Sequence, residues 1–301
     1  MLSMNDGLQK KPVLIIIFNH RYDKNLKPLR ELYKEKFSDI YFLVPFYDGD
    51  DKDVIPVFNS SYYFQGYIQE ALPKYFRDRY SHYIFIGDDL ILNPDLNEDN
   101  IVNKLKLEDG KSYIPNPRSI TDPKFWGHNK KIVDFDLNAK GIECSTYLPN
   151  KKEALEKLQG FGKIKRYFRI SQVIRLIDRP SAYKYIFKLK WFRFPLSYPL
   201  LMAYSDILIV SDSTIRKFCY YSGIFASLRL FVESAIPTAL ALSTDKIITN
   251  KDIDYEDGAL WTKKEIANIE NKYGKNLKVL MNEYPKEFLY LHPIKLSKWK
   301  K

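Results

Sequence analysis

The sequence predicts an α/β fold, a mixed but mainly parallel sheet flanked by helices. Three observations predict it. Apolar runs of strand length alternate with stretches whose apolar residues recur at helical spacing. The first strand, helix and second strand fit within about 35 residues, the size of a βαβ unit. The run Tyr83-Ile84-Phe85-Ile86-Gly87 stops abruptly at two carboxylates, Asp88 and Asp89, and open α/β sheets bind ligands at such strand ends.

The elements follow in order. Pro12 to Phe18 is continuously apolar, as expected of a strand buried on both faces. Asn19-His20-Arg21-Tyr22 breaks it, and Leu26, Leu29, Leu32, Tyr33 and Phe37 then recur at helical spacing. Ile40 to Phe46 is a second strand, closed by Asp48-Gly49-Asp50-Asp51, and Val54 to Phe58 a short extra one. Tyr62 to Tyr80 reads as a helix, with Pro73 inside it as a kink or break. Pro94 keeps the chain after Asp88-Asp89 from continuing as a central strand. Ile101, Leu105 and Leu107 suit a short helix, Tyr113 to Pro117 a broken edge strand, and Ser119 to Asn150 give only weak patterns. Lys151 to Leu158 is helical. After Tyr198 come an apolar run led by Pro199, a strand at Asp206 to Val210 and a helix at Ser213 to Tyr221. The apolar segment Phe225 to Leu240 carries a single acid, Glu233. A short Ile247-Ile248 precedes the amphipathic helix Thr262 to Tyr273, whose Thr262 and Glu265 have capping-box spacing. Phe288 to Lys295 is a last strand that terminates in His292. No internal repeat is visible.

Composition narrows the class. With 45% apolar and 15% aromatic residues over 301 positions, the chain has ample material for a core, which argues against disorder. Cys144 and Cys219 stand far apart, so neither a disulfide framework nor a cysteine zinc site is expected, in keeping with a reducing compartment. Met1 to Lys11 lacks the apolar core of a signal peptide, and no apolar run reaches the ~20 residues of a membrane span. The expected location is the cytoplasm. Charge is concentrated. Between Lys163 and Arg193 ten basic residues face one acid, Asp178, so +9 of the net +11 lies there, interleaved with aromatics. Such a segment suits an anionic membrane surface, nucleic acid or an anionic acceptor, and equally the solvated face of an inserted helix pair.

Two adjacent acids at a strand end offer hard oxygen ligands for Mg²⁺ or Mn²⁺, which can clamp a diphosphate. Asp is also an ordinary turn residue, and the pair by itself fits a turn equally well. Glu233 sits among Leu230, Phe231, Val232, Ala235 and Ile236, where partial burial would lift a carboxylate toward the range of a general base. A salt bridge to Arg229 would instead make it structural.

The βαβ start, the central strand ending in paired acids and the late strand ending in His292 occur in an order that resembles the GT-A fold of nucleotide-sugar-dependent glycosyltransferases. Gly87-Asp88-Asp89 is similar to that family's Asp-x-Asp metal motif and closer to its Glu-Asp-Asp variant, with Gly87 in place of the first acid. The resemblance implies a single Rossmann-type catalytic domain over 1–301. Within it lie a nucleotide-binding half at 1–118, a basic-aromatic helical insertion at 151–197, and an acceptor half with a C-terminal metal and diphosphate segment at 198–301. It implies Asp89 as direct metal ligand for Mn²⁺ or Mg²⁺, His292 completing that site, and Asp88 on the ribose or on the metal through water. Phe18, Asn19, Arg21, Tyr22 and Asp48 would hold the nucleoside, and Lys295 would reach phosphate oxygens. Glu233 would be the base of an inverting transfer. The activity implied is transfer from a nucleoside-diphosphate sugar, UDP-type, to a hydroxyl of a saccharide or lipid-linked saccharide in bacterial-type surface polysaccharide synthesis, with residues 163–193 resting on an anionic leaflet.

Two other readings compete. A nucleotidyltransferase also needs paired acids, but it carries a Gly-rich loop after its first strand, and Asn19-His20-Arg21-Tyr22 has no glycine. A non-catalytic protein that binds membrane or nucleic acid through 163–193 would leave Asp88, Asp89, Glu233 and His292 without a task, so nucleic acid is not the expected partner.

Overall fold

Isoleucine-rich β1 (Lys11–Ile17) is buried from Pro12 onward, because parallel strands carry helices on both faces. The structure is a computed structural model. It describes residues 10–122, 132, 135–139, 141, 143, 145–165, 167–169 and 193–300. From β1 the chain forms a helix, α1 (Leu26–Tyr33), and returns as β2 (Ile40–Pro45) and β3 (Val54–Val57). Helix α2 (Gln65–Tyr75) leads to β4 (Tyr80–Gly87), β5 (Ile91–Leu92), α3 (Ile101–Lys104), β6 (Ser112–Tyr113) and β7 (Arg118–Ser119). Then come α4 (Lys151–Leu158), β8 (Tyr167–Arg169), β9 (Arg193–Pro195), β10 (Leu201–Met202) and β11 (Ile207–Ser211). Helices α5 (Asp212–Ser227) and α6 (Val232–Ser243), strand β12 (Ile247–Ile248), α7 (Lys263–Lys272), α8 (Leu277–Asn282) and β13 (Tyr290–Leu291) complete the order.

Among the described residues, seven strands form one sheet in the order β12-β6-β11-β4-β1-β2-β3. Neighbours run parallel except around β11, which is antiparallel to both β4 and β6. The amino end of β11 therefore lies beside the carboxyl end of β4. Side chains alternate between two cores, as strand geometry requires. Val13, Ile15, Ile17, Phe85 and Leu208 face α2, α5 and α6, while Leu14, Ile16, Ile84, Ile86 and Ile209 face α1 and α8. Burying each such side chain contributes roughly 1.5–3 kcal/mol.

The mixed, mainly parallel sheet agrees with the sequence reading, and several boundaries differ. Tyr62–Tyr80 is not one helix. A 3₁₀ turn at Ser61–Tyr63 precedes α2, which ends two residues after Pro73, and Tyr80 belongs to β4. Pro73 has no amide to donate, and Phe76 is already extended. β6 is not an edge strand, because β12 adds outside it. The apolar segment 225–240 is two helices, broken where Arg229 takes φ +54°. The capping box of α7 forms as expected, with Thr262 and Glu265 bonded in both directions. Of the basic-aromatic insertion, α4 and the 3₁₀ turn after it (Gln159–Phe161) are helical, but the antiparallel pair β8–β9 follows them. Residues 170–192, which hold five of the ten basic residues between Lys163 and Arg193, lie outside the described residues, as does Cys144. Among the described residues no helix is long and apolar enough to cross a membrane.

Candidate active site

β4 delivers its two acids into a tight turn. The Asp88 amide still donates to the Ile17 carbonyl of β1 at 3.0 Å, and the Leu90 amide closes back on the Gly87 carbonyl at 3.1 Å. Asp88 Oδ2 accepts from Asn25 Nδ2 at 3.3 Å. Burial, reinforced by the neighbouring Asp89 charge, pushes the Asp88 carboxyl up to about 7. Gly87 lies between two carboxylates. A Cβ there would stand 3.5 Å from Asp89 Oδ1 and 3.7 Å from Asp206 Oδ1.

Asp206 enters because β11 runs antiparallel, and its carbonyl accepts the Gly87 amide at 2.9 Å. Burial raises its carboxyl to about 6. His292 pulls it down, and the charges of Asp89 and Glu233 push it up. Sequence reasoning missed Asp206 as a site residue. An acid at the start of a strand lies far from the carboxyl edge unless that strand runs backwards, and strand direction has no local signal.

His292 arrives by strand pairing. β13 runs antiparallel to β5 with Leu291 opposite Ile91, and the Ile294 amide donates to the Asp89 carbonyl at 2.7 Å. The other side of this segment is fixed by the His292 amide on the Gly258 carbonyl, at 3.0 Å. Only glycine fits at 258, since a Cβ would lie 1.6 Å from the Tyr290 carbonyl oxygen. His292 Nε2 then stands 3.0 Å from Asp89 Oδ1. Burial lowers the affinity of the imidazole for a proton, but Asp89, with Asp206 and Asp88 behind it, outweighs burial, and the His292 pKa ends above its ordinary value. Asp89 Oδ1 is buried and has no hydrogen bond of good geometry.

Glu233 lies in the first turn of α6, half-buried, with its carbonyl holding the Ala203 amide at 3.0 Å. It lines a cavity of about 240 Å³ together with Asn116, Arg118, Tyr204, Asp257 and Trp261. Tyr204 connects this cavity to the acids. Its ring stacks on Tyr290 at 5.7 Å and meets His292 edge-on at 5.5 Å and Trp261 at 5.8 Å. Trp261 is 72% exposed and offers a bare aromatic face. Asp257 is held by Asn116 Nδ2 at 3.0 Å and by the Tyr290 hydroxyl at 3.2 Å.

The residues expected around a nucleoside divide. Asn19 lines a small recess with Gly87 and Asp206. Arg21 bonds Asp23, Asp48 and the Phe46 carbonyl, which ties the loops after β1 and β2 together and holds the Asp48 carboxyl below its ordinary value. Tyr22 is 43% exposed on that rim. Phe18 is fully buried, edge-on to Phe42 at 6.3 Å, so its side chain belongs to the core. Lys295 is exposed and opens the last 3₁₀ turn. Two further residues carry no obvious sequence signal. Asn25 is buried behind Asp88 with its Oδ1 unbonded, and Phe46 is 59% exposed at φ +55°, an uncommon conformation for a bulky residue.

Among the described residues no group of three or more His, Cys, Asp or Glu side chains is placed to hold a metal ion by itself. The pair Asp89 and His292 nevertheless fits part of a divalent site. It offers a buried carboxylate oxygen with an imidazole nitrogen 3.0 Å from it. The remaining ligands would have to come from water or substrate.

No protein-family model matches the chain, and no curated protein matches it. Among solved structures the chain is similar to core-mannan synthase A from Aspergillus fumigatus in its Mn/GDP form. The identity is 10% and the TM-score 0.36, covering 84% of this chain and 75% of that one. At that TM-score the likeness carries no argument for this chain.

Proposed function

We propose that this chain is a nucleotide-sugar-dependent glycosyltransferase that moves a hexosyl or N-acetylhexosaminyl group to an acceptor hydroxyl. One observation carries the reading: Asp88, Asp89, Asp206, His292 and the Glu233 cleft meet at the carboxyl edge of the parallel strands. Ligands of open α/β sheets bind at that edge. A surplus of buried acid is costly to a fold and serves a site that handles a cation or a proton.

The nucleoside diphosphate would lie over the loops after β1 and β2, with Asn19, Arg21, Tyr22 and Asp48 lining its base and ribose side. Asp88, steadied by Asn25, would meet the ribose. Asp89 and His292 would hold Mn²⁺ or Mg²⁺, which when bound offsets charge on the diphosphate. Glu233 would take the proton of an acceptor hydroxyl seated in its cavity, against Trp261. Attack from that side, opposite the leaving diphosphate, inverts the anomeric carbon.

The test is thermal unfolding with a panel of nucleoside diphosphates and their sugars, with and without Mn²⁺. Ligand at 100 times its Kd should stabilise the protein by about 2.7 kcal/mol. The reading expects a metal-dependent shift with one nucleotide, absent in Asp89→Ala. A folded sample that no nucleotide stabilises would overturn it.

A further inference from the structure

Asn116 and Arg118 of the Glu233 cavity also line a second, wider cleft of about 700 Å³, so the two adjoin at these residues. Among the described residues the wider cleft is basic: Arg118, Lys163, Lys165 and Lys251 line it, against one acid, Asp122. None of the three lysines has an ion-pair partner among the described residues. Two of them are brought to the cleft by fixed backbone. The Lys165 amide donates to Thr121 Oγ1 at 3.2 Å, and Thr121 is itself bonded to Ser119 at the end of β7. Gly162 takes φ +105°, a conformation open to glycine, and turns the chain so that Lys163 and Lys165 follow along the cleft wall.

Resting on the transferase reading above, we infer that the acceptor is phosphorylated. Its sugar sits in the Glu233 cavity and its phosphate in the Arg118–Lys163–Lys165–Lys251 cleft. An uncharged acceptor gives this lining nothing to neutralise. A phosphate one sugar away from the reacting hydroxyl would receive charge-assisted hydrogen bonds from several cations and fix which hydroxyl faces Glu233. The phosphate can belong to a soluble sugar phosphate or to a lipid-linked one.

Calorimetric titration tests this at saturating nucleoside diphosphate and Mn²⁺, so that the donor side is filled. The probes are the 1-phosphates of glucose, mannose and N-acetylglucosamine, each paired with its uncharged methyl glycoside, and the same sugars on decyl phosphate. At least one phosphate should bind roughly tenfold tighter than its methyl glycoside, and more weakly as salt rises. The triple variant Lys163→Ala/Lys165→Ala/Lys251→Ala, at exposed or half-exposed positions, should erase that preference while nucleotide still stabilises it. Tighter binding of the decyl phosphate would identify a lipid-linked acceptor, and equal binding a soluble one. No preference for phosphate in any pair, or a preference the triple variant retains, overturns the inference. Phosphate binding in a protein that no nucleotide stabilises would keep an anion site but overturn its assignment to an acceptor, and it would count against the transferase reading separately.

Discussion

Two acid-rich stretches of the molecule treat the same residue type in opposite ways. On the β2–β3 side, Arg21 pairs with Asp23 and Asp48, and Arg30 with Asp51 and Asp53, all near solvent. Asp48 is pushed down there by its guanidinium partner. On the β4–β11 side, burial first and then the Asp89 charge push Asp88 up to about 7 and Asp206 up to about 6, with the His292 imidazole against Asp89. The first arrangement compensates its charges at the surface and stabilises loops modestly. The second keeps uncompensated charge out of water, which folding alone does not reward.

The comparison breaks most visibly at Asp89. Asp89→Ala should lower transfer by on the order of a thousandfold and abolish the Mn²⁺-dependent part of the nucleotide thermal shift. If activity survives, the buried group is structural after all. Glu233→Gln should reduce kcat by roughly 10²–10⁴-fold while nucleotide binding, read by the same thermal shift, stays intact. A parallel loss of nucleotide binding would place Glu233 on the donor side instead. Asp206→Asn keeps the shape but removes a buried charge from a crowded site. It should raise unfolding stability by about 1 kcal/mol while lowering activity, and chemical denaturation against initial rates separates the two effects. Arg30→Ala, on the compensated side, should cost under about 1 kcal/mol, because the pair is a third exposed and screened by solvent.

The smallest effect sharpens the contrast from inside the core. His82 on β4 is buried, with Nε2 against the Lys111 carbonyl at 3.1 Å and Nδ1 unbonded. Burial lowers its pKa below 6.5. The unfolded chain therefore takes up its proton first as pH falls, so His82 contributes stability above about pH 6.5 that is lost progressively below it. His82→Phe should flatten that part of the stability–pH curve, measured by urea unfolding between pH 5 and pH 8 as on the order of a few tenths of a kcal/mol per pH step. An unchanged slope would assign the acid sensitivity elsewhere.

Much of the fold was legible in local pattern. β1, β2 and the Tyr83–Ile86 part of β4 are continuous apolar runs because both of their faces are covered. The α7 capping box could be read from Thr262 and Glu265 because a cap is a contact across three residues. Asp88 and Asp89 stood out because acids seldom interrupt such a strand. The end of α2 near Pro73 and the break at Arg229 were harder, since a proline or a left-handed residue tells where a helix is weak but not whether packing carries it through.

The sequence by itself determined the alternation of strands and helices, the acidic turn after β4 and a late strand before His292, shorter (Tyr290–Leu291) than the Phe288 to Lys295 expected, all of which rest on periodicity and short-range chemistry. Tertiary structure alone decided that β11 runs antiparallel and so brings Asp206 beside Gly87. It also decided that β13 pairs with β5 to set His292 against Asp89, and that the Glu233 cavity adjoins the Arg118, Lys163, Lys165 and Lys251 cleft. Strand direction and partner choice depend on which distant surfaces bury one another, and no window of neighbouring residues contains that information.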